Sequence, residues 1–290
     1  MRKFLLTGLM LITVMTYGQT VTPGSLCVSE IMFNPKPDGA DFVEVYNPGP
    51  AGVDLSKVQI ATVNSKDSVS AIKIISKNSM VIQPGEYRVF TTKPDNLRAA
   101  YLCRNPQWIV TVASLPAFAN EKGTVLLLSG KIQIERFDYT SNMHHPLLKN
   151  EKGISLERSN FSRPANDRSN WHSAAATAGY ATPTYKNSVA EAVADELLLQ
   201  TKTFSPDGDG LDDELILQYN FRRADMLASI SVYDLRGKLV NRLRKNETLG
   251  TNGSIRWNGN DETGAQMVAG PYILVFEGFY PDGGTLKKKL

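Results

Sequence analysis

Histidine and cysteine are scarce in this chain of 290 residues, which has three of the first and two of the second. Two cysteines cannot build a disulfide scaffold, and no C-x-x-C or H-E-x-x-H spacing prepares a zinc site. Charge of one sign is also lacking. Thirty-two Lys and Arg stand against 29 Asp and Glu, and two of the basic residues, Arg2 and Lys3, lie in the first 18 positions. Without them 30 basic residues face 29 acidic ones, a net of +1, so charge gives no reason to expect a nucleic-acid partner. No apolar run beyond the N-terminus reaches the length of a membrane span. Collagen and coiled-coil patterns are missing, and so is the βαβ alternation of a nucleotide-binding fold.

The N-terminus has a targeting pattern. Residues 1–18, MRKFLLTGLMLITVMTYG, have a basic start, an apolar run and a small or polar end. That is the layout of a cleaved secretory signal peptide, with cleavage expected near Gly18 or Gln19. The apolar run is too short to span a bilayer as a helix. An exported chain permits a disulfide between Cys27 and Cys103, while two separate buried thiols are the alternative.

The rest of the chain reads as all-β. Short apolar or alternating runs at 26–33, 42–46, 57–63, 87–91, 108–112, 124–129, 132–139 and 154–158 are divided by turn pairs such as Asn34-Pro35 and Pro84-Gly85. Regular short strands predict an antiparallel sandwich. A single helix is expected at 95–102, with Asp95 as its N-cap. From 173 to 194 the chain turns to small residues without a strand pattern, which suits a domain tail entering a linker. Strand signals resume at 214–219, 228–233, 238–243, 254–257 and 271–277. The expected organisation is a signal peptide (1–18), a first sandwich (21–188), a linker (189–195) and a second immunoglobulin-like sandwich (196–290).

Few residues offer chemistry. In FSPDGDGLDDE, Asp207, Asp209, Asp212 and Asp213 crowd a glycine-bent loop, and alternate carboxylates there can converge on a hard cation such as Ca²⁺. The run lacks the leading Asp and distal Glu of a full EF-hand loop, and an acidic turn between strands is the plainer alternative. His144, His145 and His172 lack motif partners, and loop packing is the expected role. Glu30, Asp41 and Glu44 are the densest acids near the start, expected on the rim of a sheet. Phe42, Glu44 and Tyr46 share one strand face by the period of two.

Several phrases carry a family resemblance. SEIMFNPKPDGADFVEVYNP, VDLSKVQI, VIQPGEYRVFTT, MHHPLL, KGISLERSN and NWHSAAATAGYATPTYKNS resemble the bacterial lamin tail domain over about 28–188. The opening E-I-M-x-N-P with E-x-Y-N-P, and the closing G-x-A-T-P-x-x-x-N-S, are its most specific parts. The resemblance implies an immunoglobulin-like sandwich carried as a surface or extracellular module, sometimes fused to nucleases or phosphatases, with no catalytic residue of its own. The phrases ISVYDLRGKLVNRL and IRWNGNDETGAQMVAGPYILVFE are similar to the immunoglobulin-like domain of the flagellar hook-capping protein. They also resemble the gliding-motility-associated C-terminal domains of Bacteroidetes, which often serve as type IX secretion signals. Here the closing strand of that pattern is reduced to YPDGGTLKKKL.

The expectation is a non-enzymatic secreted or outer-membrane surface protein for adhesion, envelope scaffolding or surface assembly. Its partners would be protein or envelope components, without nucleic acid, and its contact loops would lie at 34–41, 141–150 and 207–213. The alternatives are an extracellular hydrolase or nuclease using His144, His145, Glu30 and Glu44, and a polysaccharide-binding accessory using Trp171, Tyr180 and Tyr185.

Overall fold

The computed structural model describes residues 21–191 and 195–290. The expected signal peptide lies outside the described residues, as does part of the expected linker. The chain is all-β, and no sheet mixes strands from before residue 173 with strands from after residue 196.

In the first unit a six-stranded sheet runs in the order Trp171–Ser173, Leu156–Arg158, Cys27–Met32, Phe42–Tyr46, Tyr87–Thr91, Ile109–Thr111. All its pairs are antiparallel except the last. Facing it is a four-stranded sheet ordered Ile132–Thr140, Lys122–Ser129, Gln59–Val63, Val69–Ile74. Between the sheets, Val28, Ile31, Val43, Val45, Leu127 and Phe137 form a core, and Trp171 stacks on Phe137 with ring centroids 3.6 Å apart. Its indole Nε1 donates to the Ala165 carbonyl, satisfying the one polar atom that burial would otherwise orphan. Trp171 is therefore a core residue, 2% exposed, and not the exposed aromatic expected of a sugar platform.

The helix spans Pro94–Ala100 and differs from expectation at its start. Pro94 fills the first turn, where its missing N–H costs nothing, and Lys93 precedes it without a side-chain cap. Asp95 lies inside the first turn and pairs with Arg98. Leu97 and Tyr101 pack on Met32, Phe42 and Val89, covering one end of the outer face of the six-stranded sheet.

The second unit is a sandwich of three and four strands. Glu196–Leu199, Leu215–Asn220 and Asn252–Trp257 form one sheet. Leu239–Leu249, Met226–Asp234, Tyr272–Phe279 and Thr285–Lys289 form the other. Alternation drives it: Leu215, Leu217 and Tyr219 point inward from one sheet, and Ile230, Val232, Leu274 and Phe276 from the other. The reduced C-terminal segment still forms a five-residue edge strand, Thr285–Lys289, beside Tyr272–Phe279.

The two cysteines are free thiols in separate places. Cys27 opposes Tyr46 at one end of its strand, whereas Cys103 packs on the cluster of Met32 and Phe42 at the other. Five residues of strand separate those ends by roughly 16 Å, well beyond the ~7 Å Cα reach of a disulfide. Of the two alternatives open at the sequence level, the structure has the separate thiols.

Candidate functional site

Three glutamates stand side by side across the middle of the six-stranded sheet. Glu30 is opposed by Glu44 on one neighbouring strand and by Glu157 on the other. All three are 0% exposed, so Glu30 and Glu44 do not lie on a rim. They face away from the sandwich core. A register shift between Val28 and Glu30 turns Ser29 to the same outer side.

The segment expected to be a tail covers these acids. Residues 174–190 fold back as a strap whose backbone finds its acceptors on the glutamates instead of in a sheet. Thr182 N donates to Glu30 Oε1 at 2.9 Å, Thr184 N to Glu44 Oε2 at 2.6 Å and Val189 N to Glu157 Oε2 at 3.2 Å. The Thr182 and Ser188 hydroxyls donate to Glu157, each at 2.7 Å, and Ser155 Oγ donates to Glu30. Asn187 bridges Ser29 and the Arg158 carbonyl. Thr184 takes a left-handed conformation, φ 74°, which is strained for a β-branched residue. Asn105 holds it there, donating to its hydroxyl from the backbone and to its carbonyl from the side chain.

Glu157 has donors on both oxygens. Glu30 Oε2 and Glu44 Oε1 are buried without a partner. Burial, then the charge of Glu157, raises Glu30 well above the usual carboxylate range; burial, then the charge of Glu30, does the same to Glu44. Among the described residues none of the three pairs with a cationic side chain, and Arg158 is taken by Glu135. Asp41, nearby in sequence, is pushed up to about 6 by burial.

The histidines have other partners. His144 Nδ1 lies 2.9 Å from Ser173 Oγ, which accepts the His145 backbone N–H. This serine–histidine contact is buried, and burial depresses His144 to about 4. His145 Nδ1 accepts from Leu147 N, which leaves Nε2 to donate to the Asp225 carbonyl at 3.2 Å. His172 Nδ1 meets the Asp225 carboxylate. Two histidines of the first unit thus clasp one aspartate of the second. Nothing in the sequence pointed to Asp225, which matches no motif.

The strap is also where the units meet. Thr251 N donates to Ser188 O at 2.8 Å, Thr251 Oγ1 to Ala190 O, and Ala176 N to Thr248 Oγ1 at 3.1 Å. Gly250 sits so close that a Cβ there would stand 2.6 Å from Ser188 O.

In the acidic loop, Asp207, Asp209 and Asp213 each place a carboxylate oxygen within 4.8 Å of the others. Asp212 is outside this group; its backbone carbonyl accepts from Ser205 N. Gly208 and Gly210, at φ 80° and 87°, let the loop double back, and both donate to Asp213. Oxygen-only donors on a short loop suit a hard cation, with the remaining ligands left to water or substituent carbonyls.

Comparison with known proteins agrees with part of this picture. Residues 19–141 match the family model described as Lamin Tail Domain, which places an immunoglobulin-like domain at the start of the chain. The match holds Glu30 and Glu44 and ends before Glu157 and the strap. No curated protein matches the chain. Among solved structures, FlgD from P. aeruginosa is 22% identical over 32% of this chain and 69% of its own, with a TM-score of 0.25. Dimeric latent PorU from Porphyromonas gingivalis is 13% identical over 91% of this chain and 20% of its own, with a TM-score of 0.25. PorZ, a bacterial surface component of the type-IX secretion system of the same organism, is 11% identical over 91% and 38%, with a TM-score of 0.26. The chain spans a fifth of PorU and well under half of PorZ. Among the described residues, no helix is long and apolar enough to cross a membrane.

Proposed function

We propose that this is an exported, non-enzymatic module protein whose two sandwiches act as one rigid unit in adhesion, envelope scaffolding or surface assembly. The observation that carries the reading is the strap. It buries the three glutamates of the first unit and receives the Thr248–Thr251 turn of the second, so these acids are closed off from solvent beneath the segment that joins the two units. The signal-like N-terminus supports export, and the resemblance of the second unit to gliding-motility C-terminal domains supports an outer-membrane destination. The partner we expect is a protein or envelope component bound at exposed loops. Asp207, Asp209 and Asp213 would hold a structural Ca²⁺ that stiffens their loop.

Cell fractionation with mass spectrometry of both termini tests the proposal. Recovery at the surface with cleavage near Gly18 is expected, and an uncleaved cytoplasmic form would overturn it. Hydrolysis of nuclease, phosphatase or peptidase substrates that disappears in His144→Ala would overturn the non-enzymatic part.

A further inference from the structure

Hydrogen-bond donors and acceptors do not match in number beneath the strap. Glu157 has donors on both oxygens, from the Thr182 and Ser188 hydroxyls and Val189 N. Ser155 Oγ and Thr182 N serve Glu30 Oε1, and Thr184 N serves Glu44 Oε2. Glu30 Oε2 and Glu44 Oε1 are left over, both buried and both without a donor. Their residues are directly opposed on adjacent antiparallel strands, where side chains start ~4.5–5.5 Å apart at Cβ. One hydrogen set between the two oxygens would satisfy both.

The groups around the pair offer nothing else to neutralise it. Glu157 flanks Glu30 on the next strand. Tyr101 and Cys103 beyond the helix, Tyr185 on the strap and Tyr87 on the strand beside Glu44 are acids that burial keeps neutral. Arg104 lies over the Tyr185 ring, 4.5 Å from its centroid, and is not among the partners of the three glutamates. A metal ion fits poorly, because a hard cation takes ~6–8 oxygen ligands and the strap brings N–H and O–H donors instead. A water donating to both oxygens would leave two like charges buried side by side.

We propose that the closed strap traps one proton between Glu30 Oε2 and Glu44 Oε1, and that release of this proton unlatches the strap and the joint it forms between the units. When the strap opens, both carboxyls meet water and ionise, and the single proton passes to solvent. Closing takes one proton back. The latch does not depend on what the sandwiches bind, and so stands apart from the adhesive role proposed above.

Amide exchange counts the proton. The amide hydrogens of Thr182 and Thr184, which bond to the pair, are followed by NMR in the full chain between about pH 6.5 and about 8.5, with the chemical exchange rate divided out. Release of one proton per opening raises the opening constant about tenfold per pH unit. That slope is expected at both amides and not in the Tyr272–Phe279 strand of the second unit, which serves as reference. Glu30→Gln and Glu44→Gln should each be flat, since an amide N–H then stands where the trapped proton stood. A wild-type slope near a hundredfold, with about tenfold left in each variant, would mean two separately protonated carboxyls. No slope would mean two carboxylates, and a slope unchanged in both variants would belong to another group. Each of these outcomes would overturn the proposal, and the wild-type slope alone decides between one proton, two and none if a variant fails to fold.

Discussion

Replacing Glu30 with glutamine should raise the melting temperature at alkaline pH and flatten its dependence on pH. Glu30 and Glu44 are opposed on adjacent strands, fully buried, and each has one oxygen without a partner. Their folded-state pKa values lie above the unfolded ones because burial disfavours the charged form and each feels a neighbouring carboxylate. The stability they give is complete below the unfolded carboxyl value of about 4.3 and is lost as pH rises through the folded values. Glutamine keeps the carbonyl that accepts from Thr182 N and Ser155 Oγ, and it sets an amide donor beside the Glu44 carboxylate. Satisfying one orphaned acceptor is worth about 1–3 kcal/mol, or roughly 3–10 °C in a unit of this size. The assay is thermal melting of both proteins between about pH 6.5 and about 8.5; His144 and the two thiols titrate near the ends of that interval in the unfolded chain, but they act alike on both proteins, so the difference between the two curves reads Glu30. The wild-type melting temperature should fall across that interval and the E30Q curve should cross above it. An E30Q curve that falls as steeply as the wild type's, or E30Q melting lower at the alkaline end, would refute the assignment of buried, repelling carboxyls.

Below that interval His144 acts in the opposite sense. Its folded pKa of about 4 lies under the unfolded value of about 6.5, so its contribution is present above the latter and lost as pH falls toward the former. His144→Gln should lessen the acid-side fall in melting temperature. Gly250→Ala should cost about 1–3 kcal/mol by forcing Ser188 away, and calorimetry should resolve the two sandwiches as separate transitions. Millimolar Ca²⁺ should raise the melting temperature of the wild type and of Asp212→Asn, and leave Asp209→Asn unmoved. Burial pushes Cys27 up to about 12 and Cys103 up to about 11, so both thiols should resist alkylation at pH 8 until the chain is denatured. Label-resistant cysteines in denaturant without reductant would instead indicate a disulfide.

Much of the fold was legible because alternation is a local signal. The strands Phe42–Tyr46 and Tyr87–Thr91 fall where their pattern put them. The edge strands Val69–Ile74 and Glu196–Leu199 escaped, since a strand with one paired side is not obliged to alternate cleanly. The strap was missed for a different reason. ATAGYATPTYKNS looks like a linker because it has no period, yet its backbone donors bond to carboxylates more than 130 positions upstream for Glu30 and Glu44. The opening and closing phrases of the lamin-tail resemblance are the two halves of that contact: E-I-M and E-x-Y-N supply the acids, and A-T-P-x-x-x-N-S supplies the donors. Burial of Glu30, Glu44 and Trp171 could not be read, because it is imposed by what covers them from elsewhere in the chain.

The order of the strap in the chain has a kinetic consequence. A polypeptide emerging N-terminus first exposes Glu30 and Glu44 when the first strands pair, while the segment that shields them is still some 140 residues away. Until then the sheet bears a row of uncovered carboxylates, charged and solvated, and its outer face cannot dry. Completion of the first unit therefore waits for residue 189, next to the point where the second unit begins, and the late strap closes the one unit as it offers Ser188 and Ala190 to the other.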